Sequence, residues 1–166
     1  MSLSMRPNNK ICVIQLYQKE GDNMQEKLKK VNDKKILELT YSWGLHQPGI
    51  MKTIITNDKK LYYYHYYHHL TPFLKENNIP QESISKGLKL SSEEYLEILN
   101  FIEKEIINKK YKSLQIRDVC YRVSVKYHNR EYIYVNCYDS NNNEKIYEKA
   151  QKLLKEIESR KINEKK

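Results

Sequence analysis

Glycine and proline are scarce, four of each in 166 residues. That excludes collagen-like repeats and Pro/Gly low-complexity chains. It also leaves little backbone able to approach a phosphate closely. There is accordingly no GxGxxG, no GxxxxGK[ST] and no GxSxG elbow. The three cysteines, Cys12, Cys120 and Cys137, are an odd number without CxxC spacing. They fit neither a disulfide framework nor a zinc knuckle, and predict free thiols in a reducing, cytoplasmic compartment. No uninterrupted apolar run approaches the ~18 residues of a helical span, so no membrane contact is expected. Arginine is short as well, 5 residues against 25 Lys, which removes the side chain best suited to bidentate phosphate or guanine contacts. Residues 1–10 lack the apolar core of a secretory signal and read as a leader, with Met5 as a second start.

The charge that is present is basic, +9 overall. It divides as +4 over residues 1–35, +2 over 36–90, −1 over 91–118, +1 over 119–139 and +3 over 140–166. The excess sits at the ends, whereas a nucleic-acid stripe is concentrated. Richness in Lys, Asn, Ile and Tyr together also fits AT-rich codon usage. Hydrophobic residues make up 39% and are grouped, so the reading is one domain over 11–158 with a frayed tail at 159–166.

Residues 11–17 are β-rich and predict a strand. Asp22 and Gln25 resemble a capping box before Met24, Leu28 and Val31 at helical spacing, so 23–32 predicts a short helix. In 36–43, Leu37, Leu39, Tyr41 and Trp43 alternate with Glu38, Thr40 and Ser42, the pattern of a half-buried strand. Residues 44–49 read as a loop. Segments 50–57 and 61–67 flank a turn at 58–60 and predict a hairpin. Thr71-Pro72 is a helix-start pair, and 79–90 reads as a connector.

Ser91 with Glu94 predicts a capping box for a helix over 91–108, with Tyr95, Ile98, Leu99, Ile102 and Ile106 as its apolar stripe. Segments 119–127 and 131–138 predict a second hairpin. A three-residue loop at 128–130 pairs Tyr127 with Glu131 and Val125 with Ile133, gathering the aliphatic residues of both arms on one face. A two-residue loop is expected to set Lys126 against Ile133 instead. Ile146, Tyr147, Ala150, Leu153, Leu154 and Ile157 form a last helical stripe. The fold class expected is α+β: a mostly antiparallel sheet of about five to six strands, with two main amphipathic helices on one face in a strand-strand-helix layout used twice.

Three of the five histidines lie in residues 62–69, YYYHYYHH. On a helix, His65 and His69 would share a face and could chelate a metal. On a strand they stand ~13 Å apart, too far for one ion. The strand is the reading adopted, so no metal, cofactor or catalytic residue is assigned, and a His-based or metal-dependent hydrolase is the runner-up. Binding is the leading expectation. In the register above, Tyr132, Tyr134 and Tyr138 fall opposite the aliphatic core and join Tyr62, Tyr64 and Tyr66 in an aromatic open face. Trp43 and His46 are further candidates, from the loop where an aromatic, a flexible Gly44 and a titratable ring coincide, although a core Trp ending a strand is the simpler reading there. Such a face suits a protein partner or self-association. Stacking of single-stranded nucleic acid is the alternative, although the RNA-recognition motif [KR]-G-[FY]-[GA]-F-V is absent.

Overall fold

The computed structural model describes residues 24–44, 48–116 and 118–163. The expected strand at 11–17, Cys12 and His46 lie outside them. Helix α1 (Met24–Lys34) runs directly into β1 (Lys35–Trp43), followed by β2 (Gly49–Thr56) and β3 (Lys60–Tyr67). The short helix α2 (Pro72–Glu76) starts on Thr71, whose hydroxyl accepts from the Leu74 N–H. Two short strands come next, β4 (Glu82–Ile84) and β5 (Leu88–Lys89). Helix α3 (Ser92–Phe101) continues as a π-helical turn over Ile102–Ile107. Strands β6 (Lys112–Ser113), β7 (Val119–Tyr127), β8 (Arg130–Val135), β9 (Cys137–Asp139) and β10 (Glu144–Lys145) precede helix α4 (Ile146–Asn163).

The architecture is α+β with a mostly antiparallel sheet. The main sheet has the order β4-β3-β2-β1-β7-β8, with β5 also paired to β3, and β10-β9-β6 form a second small sheet. The expected connector at 79–90 thus supplies edge strands, too short to show a period. On one face Leu37, Leu39, Ile55, Leu61, Val123 and Val125 pack with Ile98, Ile102 and Ile106 of α3 and Ile146, Ala150, Leu154 and Ile157 of α4. The other face is not bare. Val31 of α1 packs with Ile54 and Ile84, and Met24, Leu28, Tyr62 and Tyr64 join them.

The capping box on α3 is formed: Ser91 Oγ accepts from the Glu94 N–H and the Glu94 carboxylate accepts from the Ser91 N–H. Glu94 also holds Lys161 of α4 at 2.7 Å, and Arg160 meets Glu97 at 2.7 Å. These contacts anchor the end of α4, which runs to Asn163 rather than stopping near 158.

The second hairpin corrects the expected register. Tyr127 pairs with Arg130, Lys126 with Glu131, Val125 with Tyr132 and Ser124 with Ile133. The loop is two residues, His128 and Asn129, at φ 46° and 61°. Two consecutive left-handed residues make the tight turn whose twist matches paired strands. Val125 therefore does not face Ile133, and Lys126 faces Glu131 instead of Ile133. The return arm is also interrupted. Asn136, at φ 48°, ends β8 and sends β9 into the small sheet.

Candidate functional site

The corrected register redistributes the expected aromatic face. Tyr132 and Tyr134 pack against the main core, beneath the helices. The Tyr134 hydroxyl donates to the Ile106 carbonyl (3.2 Å), and the Tyr111 hydroxyl donates to the Glu105 carbonyl. Both supply donors at the widened end of α3, where helix carbonyls lack intrahelical partners. Burial pushes the Tyr111 phenol up to about 12.

Tyr62 and Tyr64 lie on the opposite face, against the α1 cluster. The Tyr64 hydroxyl donates to Glu82 at 2.9 Å. Tyr66 shares that face, its ring set edge-on to His68 at 5.2 Å. Tyr138 belongs to β9 in the small sheet. The tyrosines named from the sequence are thus spread over three surfaces.

His65 and His69 do not converge either. His65 is buried in β3, with Nε2 2.8 Å from the Pro80 carbonyl oxygen, while His69 is exposed past the strand end. Burial lowers the His65 imidazole pKa, opposed by the Pro80 hydrogen bond and the Glu82 charge. Its Nε2–H donates to Pro80. Among the described residues no group of three or more His, Cys, Asp or Glu could hold a metal ion. Cys120 and Cys137 are free thiols.

What the fold does assemble is a ladder of rings at the Trp43 end of the main sheet. Tyr41 and Trp43, two apart on β1, share a face and stack with centroids 5.3 Å apart and planes 23° apart. Cross-strand pairing places Tyr121 of β7 beside Tyr41, at 5.2 Å and 27°. Tyr147 at the start of α4 meets Tyr121 at 5.2 Å, and Lys145 Nζ lies 4.7 Å from the Tyr121 centroid. At the other end Trp43 meets Tyr67 edge-on at 6.0 Å, and Tyr67 meets His65 at 5.1 Å.

Gly49 makes this possible. It pairs with Trp43 on one side and Tyr67 on the other, and its missing side chain leaves the gap the indole fills. A Cβ at Gly49 would stand 2.6 Å from Trp43 Cζ2. Tyr147, Tyr67 and His65 are buried, while Tyr121, Tyr41 and Trp43 in the middle are half-exposed. Burial raises the Tyr41, Tyr67 and Tyr147 phenols above their ordinary value, with neighbouring Tyr rings adding to it for Tyr41 and Tyr147. These phenols are uncharged at neutral pH. The ladder offers flat apolar rings, phenol hydroxyls and one ammonium group. That suits adhesion to a planar or apolar group.

Of the residues expected from sequence, Trp43 belongs to the ladder. Tyr41, Tyr121 and Tyr147 were missed. The alternation in β1 already puts Tyr41 beside Trp43, but Tyr121 joins only through a pairing between strands about 80 residues apart. No known family model, curated protein or solved structure matches the chain.

Proposed function

We propose that this protein is a non-enzymatic binding protein that engages a protein partner through the half-exposed rings Tyr121, Tyr41 and Trp43. The near-parallel stack of those three rings carries the reading. Aromatic residues supply much contact area at little rotamer cost, and a stack already formed loses little further freedom on binding. A second reading, single-stranded nucleic acid, draws on Lys145 beside the Tyr121 ring, where a base could stack near a cation.

The test is quantitative co-purification from native cell extract, comparing wild type with Tyr41→Ser/Trp43→Leu. The expected result is one protein enriched by wild type and lost with the variant. Its binding should persist from about 50 to about 500 mM salt, because ring contacts release no counterions. Equal capture by both forms would refute the reading. Quenching of Trp43 emission by oligothymidylate that vanishes with salt would move the assignment to nucleic acid.

A further inference from the structure

Strand β8 ends the main sheet, and among the described residues none pairs with its outer edge. The hairpin fixes which backbone groups face outward. The Asn136 N–H donates to the Tyr121 carbonyl (2.7 Å), and Asn136 Oδ1 accepts from the Tyr121 N–H (2.8 Å). Backbone groups alternate along a strand, so Arg130, Tyr132 and Tyr134 also turn theirs toward β7. Glu131, Ile133 and Val135 turn theirs outward. Their side chains lie on the face away from the main core, and Ile133 and Val135 are 49% and 42% exposed. Edges left to solvent are normally guarded by charged side chains, above all lysine, by proline or by a bulge. β8 reads REYIYV: its charges, Arg130 and Glu131, sit at the turn end, and the stretch from Tyr132 to Val135 has no charge, proline or bulge before Asn136.

We infer that β8 of a second copy of this chain occupies this edge, antiparallel, about a two-fold axis through Ile133. Residues paired across a continuous sheet must share a face, so the axis has to pass through a residue. Centred on Ile133, it sets Ile133 opposite Ile133, Glu131 opposite Val135 and Tyr132 opposite Tyr134. Every outward N–H and C=O of the strand is then bonded. Centring on Tyr132 or Tyr134 leaves some of them unpaired.

Charge selects a second copy over an arbitrary peptide. Glu131 accepts from Ser124 Oγ at 2.9 Å but forms no ion pair among the described residues. Arg122, opposite Val135 on the same face, forms none either, and its Nε is buried without a hydrogen-bond partner. In the symmetric pair Glu131 lies in line with Val135 and then Arg122 of the other copy. They stand two strand spacings apart, roughly 10 Å, a gap that two long side chains can close. Symmetry forms this contact twice. One strand edge is a small interface, so the dimer is reversible. The inference is independent of the aromatic ladder, which lies on the other face.

The test is sedimentation equilibrium of the full chain from about 1 mM to about 1 µM. Wild type should shift from dimer to monomer across that range. Ile133→Pro removes an N–H that no partner among the described residues uses, and sheet edges tolerate proline. It should weaken dimerisation roughly four- to a hundredfold, since the bond is lost from both copies and each hydrogen bond is worth about a factor of two to ten. Ile133→Lys, which leaves the backbone intact, should act in the same direction, with circular dichroism and the melting midpoint confirming the fold. Glu131→Arg and Arg122→Glu should each weaken the dimer, and the double variant should recover it. A monomer at every concentration overturns the inference, as does a dimer indifferent to both Ile133 variants. Monomeric protein whose β8 edge instead binds a foreign extended peptide overturns the choice of occupant.

Discussion

Replacing Gly49 by alanine tests how the ladder is built. The backbone there is not the obstacle, because no described glycine has a positive φ. The obstacle is the Trp43 ring. The added Cβ would lie 2.6 Å from Cζ2 and 2.8 Å from Cη2 of the indole, and 3.0 Å from the Tyr66 carbonyl oxygen. Normal carbon contacts begin at roughly 3.5 Å, so the indole must move by about 1 Å or turn out of its gap. Overpacking of this kind costs about 1–3 kcal/mol. For a chain of this size a loss of about 2 kcal/mol lowers the melting midpoint by roughly 4–8 °C. Trp43 is the only tryptophan in the sequence, so its emission reports this ring alone. The Gly49→Ala variant should show a red-shifted emission maximum and stronger acrylamide quenching, with the melting shift above. In a Trp43→Leu background the cost of the same substitution should fall below about 1 kcal/mol. Equal costs in both backgrounds, or an unchanged emission spectrum, would refute the steric argument.

Other expectations follow from the same geometry. Glu38 is 4% exposed and is held by Lys35 (3.0 Å), Lys52 (3.2 Å) and the Thr40 hydroxyl (3.0 Å). Burial alone would raise its pKa, but the Lys52 and Lys35 charges outweigh that and hold it below the ordinary carboxylate value. Its contribution is therefore present above the unfolded-state pKa and is lost as pH falls through the lower folded value. Urea titrations should show Glu38→Gln costing about 1–3 kcal/mol at neutral pH, with the gap to wild type closing in acid. Ile98 is fully buried between α3 and the sheet, so Ile98→Ala should cost about 2–5 kcal/mol in the same assay. Asn129→Gly relieves a left-handed residue and should raise stability by about 0.5–1 kcal/mol, read as a higher urea midpoint. Ser91→Ala removes the hydroxyl half of the α3 cap and should cost about 1 kcal/mol.

Local physics was legible in the residues, and non-local physics was not. The alternation of Leu37 to Trp43, the cap at Ser91, the Thr71-Pro72 start and the stripe from Ile146 to Ile157 each depend on neighbours a few positions away. Each appears as an element where the pattern puts it. The β7–β8 register failed because matching aliphatic residues across the hairpin looked decisive. Turn chemistry decided instead: His128 and Asn129 both adopt left-handed conformations. That choice sends Tyr132 and Tyr134 inward, where hydroxyls can reach the end of α3, and leaves Ile133 and Val135 at the surface. The stripe Met24, Leu28 and Val31 announced a helix, but nothing local said that α1 would cover the second sheet face. The ladder was invisible for the same reason, since Tyr41 and Tyr121 meet only once β1 and β7 have paired.

That pairing also governs the order in which the molecule can be completed. β1 sits inside the sheet between β2 and β7, yet β2 follows it at once while β7 lies some 80 residues downstream. A nascent chain can close β1, β2 and β3 into a meander early, but the remaining side of β1 stays open until residue 127 has left the ribosome. During that interval the growing polypeptide carries an unsatisfied strand flank beside Leu37 and Leu39, the kind of template that recruits neighbouring chains. Long-range closure of this sort is slow, which keeps that flank exposed to aggregation for as long as β7 is still to be made.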